Sequence, residues 1–248
     1  MALRVLLLAG TAEARRLAAA VGGRSAIELT SSLAGAVPVP LLPEGDVRIG
    51  GFGAAGLTGW LRDHATDAVV DATHPFATKM TDEAVAAAAE LRLPLLVLRR
   101  PGWTAGPGDR WHRVLDMAAA AALAPRLGER AFLATGPADF AAFADAPGWF
   151  LLRADEPPAG PLPARHRFVR GPGLVTADAE RALLREHRIE VVVCRDSGGD
   201  LTAAKLVAAR ELGLPVVMVD RPDVPPGVAT VSTVDEAVDW LAAISPHG

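Results

Sequence analysis

The chain of 248 residues contains no tyrosine, and this absence excludes every mechanism in which a tyrosine donates the proton. The Tyr-x-x-x-Lys acid–base pair of the short-chain dehydrogenases is among the mechanisms excluded. A single cysteine, Cys194, rules out an internal disulfide and a cysteine-rich zinc site. No apolar run approaches the ~20 residues that cross a bilayer, and the first residues do not read as a signal peptide. These absences favour a cytoplasmic protein without a membrane partner.

The chain also lacks an excess of positive charge. It has 25 basic and 29 acidic residues, a net charge of −4, which argues against a nucleic-acid partner. Its six histidines are scattered, so no metal site is predicted. Hydrophobic residues make up 50% of the chain, enough to build substantial cores. We expect a monomer or a weak homo-oligomer whose ligands are small molecules.

Short β-branched runs alternate with Ala/Leu-rich segments of helical period, which is typical of a parallel α/β sheet. The predicted strands are residues 3–9, 26–30, 46–49, 68–71, 93–98, 130–135, 149–153, 190–195 and 215–220. The predicted helices are residues 12–21, 54–64, 78–92, 117–126, 177–187, 202–212 and 234–244.

A passage rich in proline and glycine at residues 101–113 interrupts this alternation and resembles an inter-domain connection. We therefore predict two Rossmann-like, doubly wound parallel-sheet domains, residues 1–103 and 104–248, with the ligand cleft between them. The stretch 155–173, rich in proline and arginine, is predicted to be a long functional loop.

An internal repeat supports two similar halves. Residues 86–101 and 207–222 align without gaps, and eight of the sixteen positions are identical, including Leu-Pro and Arg-Pro in both copies. A duplication explains this similarity. The alternative is that any helix–Leu-Pro–strand unit in an alanine-rich chain looks alike.

Three turns of the first half are candidates for binding a dinucleotide. The turn at residues 9–13 has a glycine, Gly10, between a strand and a helix, where backbone N–H groups attract anions. The second turn, at residues 29–35, offers hydroxyl groups where NAD-binding folds place an acid, which favours NADP(H). The third turn is the glycine-dense segment 50–56. For each turn the alternative is an ordinary structural turn.

The segment DATHPFA at residues 71–77 follows an apolar strand and carries the most concentrated polar chemistry. Asp71, Thr73 and His74 would lie at the carboxyl edge of the sheet, where doubly wound folds bind ligands. His74 is a candidate proton donor because an imidazole titrates near neutral pH. The alternative is that Asp71 and Thr73 only satisfy backbone groups or cap the following helix.

The second half has a corresponding segment at residues 195–200, in which Ser-Gly-Gly can form a nest of N–H donors. Lys205 follows one turn into the next helix and is either a further ligand-binding charge or a solvated one. Cations concentrate on residues 99–113 and 153–170, which favours a polyanionic small ligand, although solvated loop charges are the alternative.

Six segments carry a resemblance to a known family: AGTAEARRLA (9–18), LTSSLAG (29–35), GGFG (50–53), DATHPFA (71–77), RRPGW (99–103) and the block from DSGG to VDRP (196–222). Together they resemble the precorrin-6A reductase family of cobalamin biosynthesis. The resemblance implies an NADP-dependent oxidoreductase acting on a CH–CH group. Such an enzyme reduces one double bond of precorrin-6A to give precorrin-6B, and its substrate is a polycarboxylate tetrapyrrole.

The resemblance also implies roles for individual residues. His74 and Asp71 are the catalytic candidates. The candidates for binding NADP(H) are Gly10, Thr11, Ala12, Glu13, Ser31, Ser32, Gly35, Gly51, Phe52, Gly53 and Thr73. The candidates for binding substrate are Pro75, Phe76, Arg100, Thr135, Gly136, Ser197, Gly198, Gly199, Lys205 and Arg221. Two other functions stay open: an NADPH-dependent reductase or dehydrogenase of a smaller anionic substrate, and a non-catalytic NADPH-binding regulator.

Overall fold

The computed structural model describes residues 1–35, 42–154, 157–171 and 176–245. It divides into two compact units, the first made of Met1–Pro101 with Pro222–Gly248 and the second of Gly102–Arg221. Each unit contains a six-stranded parallel sheet with flanking helices. The predicted fold class, two Rossmann-like doubly wound sheets, is confirmed.

The elements are numbered here in chain order. The first unit contains β1 (Leu3–Leu8), α1 (Ala12–Val21), β2 (Ile27–Leu33), β3 (Asp46–Ile49), α2 (Gly56–Asp63), β4 (Ala68–Asp71), α3 (Thr78–Leu91), β5 (Leu95–Leu98), β12 (Ala229–Val231) and α7 (Val234–Ile244). The second unit contains β6 (Arg110–Val114), α4 (Met117–Leu127), β7 (Arg130–Ala134), β8 (Trp149–Ala154), β9 (His166–Arg170), α5 (Ala177–Glu186), β10 (Val191–Arg195), α6 (Ala204–Glu211) and β11 (Pro215–Val219).

The two sheets have the same strand order. The first reads β3-β2-β1-β4-β5-β12, and the second reads β9-β8-β7-β10-β11-β6. In each sheet the strands that come next in sequence lie on one side of the central strand, β1 or β7, and the later ones lie on its other side, as in Rossmann folds. The repeat found in the sequence falls on equivalent elements, because residues 86–101 span the end of α3 and β5 while residues 207–222 span α6 and β11.

The sixth strand of each sheet comes from the other half of the chain. β6 follows β5 in sequence but pairs with β11, and β12 follows β11 but pairs with β5. The expected second domain, residues 104–248, is therefore wrong at its C-terminal end. Residues 222–248 belong to the first unit, because β12 extends its sheet and α7 packs on α1.

Three strands, β6, β9 and β12, escape the sequence pattern. Each pairs with one neighbour at the edge of its sheet, and each is short and largely polar or exposed, so a hydrophobic signal is weak. β9 lies inside the predicted loop 155–173, of which residues 155–156 and 172–173 fall outside the described residues.

The central strands are covered on both faces, which explains their continuous apolar sequences. In β1, Leu7 packs in the core beside α1 and α7, whereas Leu6 packs in the core beside α2 and α3. Parallel pairing brings the carboxyl ends of all six strands to one edge of each sheet, and most of the candidate residues lie at or after those ends. Among the described residues, no helix combines the length and apolar character needed to cross a membrane.

Candidate functional site

The first turn of the first unit joins β1 to α1. Gly10 has φ +148°, a region that favours glycine, and apart from its chain neighbours no heavy atom of the described residues lies within 4 Å of the position a Cβ would take there. Thr11 Oγ1 accepts a hydrogen bond from the N–H of Ala14 (3.2 Å) and so caps α1. The same hydroxyl donates to the carbonyl of Ala72 (2.8 Å), which fixes the turn against the end of β4. The turn is anchored and leaves open space above Gly10.

Glu13, in the first turn of α1, carries a negative charge that would repel a phosphate at that helix end. The structure compensates this charge. Arg100 Nη1 lies 2.7 Å from Glu13 Oε2 and Arg16 Nη2 lies 3.0 Å from Oε1. Burial alone would raise the pKa of Glu13, but the hydrogen bond and charge of Arg100 outweigh it and hold the pKa below 4.5. Arg100, predicted to bind substrate, therefore pairs with a residue of the first turn.

Ser31 and Ser32, predicted to lie in a turn, instead belong to strand β2. Ser31 is fully buried, and its Oγ has no hydrogen-bond partner within the described ranges. Ser32 Oγ accepts from Arg48 Nη1 (2.6 Å), and Arg48 Nη2 donates to the carbonyl of Gly51 (2.8 Å). Arg48 thus connects the end of β2 with the glycine-dense turn after β3.

Arg48 is a residue that sequence reasoning missed. Only the pairing of β2 with β3 would have pointed to Arg48. In this parallel pair Arg48 stands opposite Ser32 and shares its face of the sheet. The guanidinium also lies 4.1 Å from the ring centroid of Phe52. Gly35, two residues past the end of β2, has open space at its Cβ position, as Gly51 and Gly53 do.

Asp71 ends β4 and is 2% exposed. Its Oδ1 accepts from the backbone N–H (3.0 Å) and hydroxyl (2.7 Å) of Thr73, and its Oδ2 accepts from Thr81 Oγ1 (2.6 Å). Both oxygens are thus used to hold the loop after β4 to α3. This arrangement fits a positioning residue better than a proton-transferring one, because the carboxylate is already occupied.

His74 lies within the same loop. Its Nδ1 accepts a hydrogen bond from the N–H of Phe76 (3.3 Å), so the neutral ring carries its proton on Nε2. A small cavity is lined by Asp71, Thr73, His74 and Pro75. A larger groove beside it is lined by Gly51, Phe52, Gly53 and Phe76. The structure therefore brings the glycine turn and the DATHPFA segment together at one edge of the first sheet.

In the second unit, the turn after β10 contains two glycines with positive φ, Gly198 (+64°) and Gly199 (+76°). The carbonyl of Gly198 accepts from Thr202 Oγ1 (3.1 Å), and that of Gly199 accepts from Trp103 Nε1 (3.0 Å). Ser197 precedes them, and its N–H donates to the carbonyl of Arg195 (2.8 Å). The turn is therefore held in a defined shape that glycine permits.

Asp196, which precedes this turn, is 3% exposed and holds the chain around it. Its Oδ1 accepts from the N–H of Trp103 (3.0 Å), and its Oδ2 accepts from Arg113 Nη2 (2.8 Å). Arg221 Nε donates to the Asp196 carbonyl (2.7 Å). Arg221, predicted to bind substrate, thus contributes to the same support.

Lys205 is 8% exposed, so it is neither a solvated charge nor an open ligand-binding one. Its Nζ donates to the carbonyl of Thr202 (2.7 Å) and lies 4.9 Å from the Trp103 ring centroid. Burial lowers the pKa of Lys205. The structure places this predicted substrate-binding residue under the Ser-Gly-Gly turn, as part of its support.

Thr135 and Gly136 follow β7, the strand beside β10. Thr135 Oγ1 is buried and has no hydrogen-bond partner in the part of the chain that the structure describes. The N–H of Gly136 donates to Asp139 Oδ2 (3.2 Å), and Asp139 forms an ion pair with Arg195 at the end of β10. These residues and the Ser-Gly-Gly turn therefore follow adjacent strands at one edge of the second sheet. No cluster of histidine, cysteine and acidic residues suited to a metal ion occurs within the described ranges.

Two parallel sheets of Rossmann order, with glycine turns and polar loops at their carboxyl edges, define a doubly wound α/β protein. The chain belongs to the precorrin-6x reductase family, whose model, Precorrin-6x reductase CbiJ/CobK, matches residues 4–242. The family indicated by the sequence motifs is thereby confirmed.

Individual relatives agree with this assignment. The precorrin-6A reductase of Rhodococcus erythropolis is 50% identical over 244 residues, which are 98% of each chain. The cobalt-precorrin-6A reductase of Priestia megaterium is 30% identical over 253 residues, 96% of this chain and 97% of the relative. A solved structure of CobK precorrin-6A reductase has a TM-score of 0.87 at 43% identity and covers 97% of this chain and 96% of that one.

Proposed function

We propose that this protein is an NADPH-dependent reductase that reduces one double bond of precorrin-6A to give precorrin-6B, in cobalamin biosynthesis. The observation that carries the proposal is the 50% identity, over 98% of both chains, to a protein named precorrin-6A reductase. The chain is more distant from relatives named for the cobalt-containing substrate, at 30%, 27% and 26% identity, which favours the metal-free macrocycle.

The first unit has features that fit a nicotinamide dinucleotide with a 2′-phosphate. Open space above Gly10 allows a phosphate to approach the backbone, and the compensated charge of Glu13 removes the main repulsion at the start of α1. The sequence from Thr30 to Gly35 has no acid that would repel a 2′-phosphate. The residues that would hold the cofactor are Gly10, Thr11, Ala12, Glu13, Ser31, Ser32, Gly35, Gly51, Phe52, Gly53 and Thr73.

NADPH, when bound, supplies a hydride to one carbon of the double bond. The other atom of that bond takes a proton, and His74 is our candidate donor, as an imidazolium that becomes a neutral imidazole, because its ring lies at the edge of the sheet where the two candidate segments meet. Asp71 would position the loop that carries His74, since its carboxylate holds Thr73 and Thr81.

The substrate carries acetate and propionate carboxylates, which need N–H and hydroxyl donors. In our proposal Pro75 and Phe76 contact the macrocycle. Thr135, Gly136 and residues 197–199 would bind its carboxylates, and the Thr135 hydroxyl, which has no hydrogen-bond partner among the described residues, supports this. Lys205 and Arg221 would act indirectly, by holding the turn at residues 197–199 in its binding shape.

A turnover assay with the full chain tests the proposal. With precorrin-6A and NADPH we expect one NADPH oxidised for each macrocycle and a product heavier by two hydrogen atoms, identified by mass spectrometry. NADH in place of NADPH should support a much lower rate. Reduction of cobalt-precorrin-6A alone would contradict the proposed substrate, and absence of NADPH oxidation with either macrocycle would contradict the proposed reaction.

A further inference from the structure

Arg48 of β3 lies among uncharged groups. Its guanidinium donates to Ser32 Oγ and to the Gly51 carbonyl, and one face packs over Phe52. These bonds use two of the five N–H donors that an arginine carries. Within the described residues, no carboxylate lies within ion-pair distance of this guanidinium, and its other donors have no acceptor.

This environment differs from that of two other arginines of the chain, which are paired with acids. Arg100 pairs with Glu13 at 2.7 Å, and Arg153 pairs with Glu180 at 2.8 Å. Burial lowers the pKa of Arg48 below its ordinary value, and no acid raises it, whereas the hydrogen bond that Arg113 donates to Asp196 raises the pKa of Arg113. A guanidinium stays charged nonetheless. Arg48 is therefore a partly desolvated cation whose charge the described residues do not compensate.

The surroundings of Arg48 narrow the kind of anion that would compensate it. Of residues 34–45, which follow β2 in sequence, only Glu44 is acidic. Ser32 beside Arg48 has a hydroxyl group, and Ser31 has a fully buried hydroxyl without a partner among the described residues. Phe52 and Trp60 lie edge to face with ring centroids 6.0 Å apart, and both lie near the guanidinium, so a planar base has aromatic groups to pack on.

We propose that Arg48 binds the 2′-phosphate of the adenosine ribose and that it is the residue that makes this chain prefer NADPH to NADH. A phosphate accepts paired hydrogen bonds from a guanidinium, and the end of the second strand is where Rossmann folds read the 2′ position. This inference rests on the proposed use of NADPH and assigns its specificity to one side chain.

Binding to the full chain, measured by isothermal titration calorimetry without substrate, tests the inference apart from activity. The ligands are NADPH, NADH, 2′,5′-ADP and 5′-ADP. The variants are Arg48→Gln, which removes the charge, and Arg48→Lys, which keeps the charge but not the planar fork. Arg62→Gln is the matched control, because Arg62 is an exposed cation of the same unit that pairs with Glu90 at 3.1 Å.

We expect Arg48→Gln to weaken the binding of NADPH and 2′,5′-ADP by about 10- to 100-fold, the range for a charge-assisted hydrogen bond. The affinities for NADH and 5′-ADP should change by less than about 3-fold. Arg48→Lys should lie between the wild type and Arg48→Gln, and Arg62→Gln should match the wild type. An equal loss of affinity for NADPH and for NADH would overturn the inference, because Arg48 would then only support the loop. Unchanged NADPH preference would overturn it as well. A wild type that binds neither dinucleotide would instead contradict the proposed function.

Discussion

The ion pair between Arg100 and Glu13 yields a quantitative prediction, because the two side chains are 12% and 10% exposed and lie 2.7 Å apart. Replacing Arg100 by glutamine leaves the Glu13 carboxylate buried with Arg16 as its remaining cation. The Arg16 side chain is 65% exposed, so its contribution is small. Removing one partner of a fully buried pair costs about 3–5 kcal/mol, and an exposed pair is worth about 0–1 kcal/mol. We therefore expect Arg100→Gln to lower the free energy of unfolding of the first unit by about 2–4 kcal/mol.

The pH dependence of this loss identifies its cause. The folded-state pKa of Glu13 is depressed below 4.5, so its charged form stabilises the fold above that pH. The stabilisation is lost as the pH falls through the folded-state pKa. The difference between wild type and Arg100→Gln should therefore be full at pH 7 and shrink below pH 4.5. The double variant Glu13→Gln/Arg100→Gln should recover at least half of the loss at pH 7, because no buried charge is left.

Urea unfolding at pH 7 and pH 4, combined with hydrogen exchange of the α1 amides, measures these effects in the unit that contains the pair. Arg62→Gln serves as control, since the Arg62–Glu90 pair is exposed on both sides and should change stability by less than about 1 kcal/mol. An Arg100→Gln variant as stable as the wild type at pH 7 would refute the reasoning. Such a result would favour the substrate-binding role of Arg100 that the family resemblance implies.

Three further variants probe the loops. Gly102→Ala places a Cβ 2.8 Å from Asp196 Oδ2, so unfolding experiments should show a loss of about 1–3 kcal/mol, whereas Gly106→Ala, whose nearest contact is 3.8 Å, should change stability by less than about 0.5 kcal/mol. His74→Ala should lower kcat about 100-fold or more with NADPH affinity unchanged in calorimetry, and full turnover would assign the proton to solvent. Lys205→Met should alter the melting temperature more than the affinity for substrate. A loss of affinity at unchanged stability would instead indicate that Lys205 contacts the substrate directly.

Most of the strands that the sequence predicts are buried on both faces, because burial forces continuous apolar runs. β1 and β4 are of this kind, as are β10 and β11. The edge strand β6, Arg-Trp-His-Arg-Val, needs only one hydrogen-bonded neighbour and carries charges that belong to the surface. No periodicity in such a sequence distinguishes a strand from a connection. The exchange of β6 and β12 was hidden for the same reason.

The candidate loops were predictable, since the carboxyl ends of parallel strands meet at one edge. Their side-chain partners were not. Arg100 and Glu13 are 87 residues apart, and Trp103 and Asp196 are 93 apart, so each pairing depends on the strand order of a folded sheet. The same limit explains why Arg48 was missed and why Lys205 was expected at a ligand-binding surface.

The first turns of the two units share one feature, an acidic residue paired with an arginine. Gly-Thr-Ala-Glu at residues 10–13 and Gly-Pro-Ala-Asp at residues 136–139 each follow the strand that begins the doubly wound core, and each ends in an acid bound to an arginine. In the second unit the acid also accepts a hydrogen bond from a backbone N–H of the turn, that of Gly136. Its negative charge would by itself repel an anionic ligand, and the arginine cancels that charge. Arg100 follows β5, whereas Arg195 is the last residue of β10, so what the two units share is a compensated acid at the turn and not a common pair of positions.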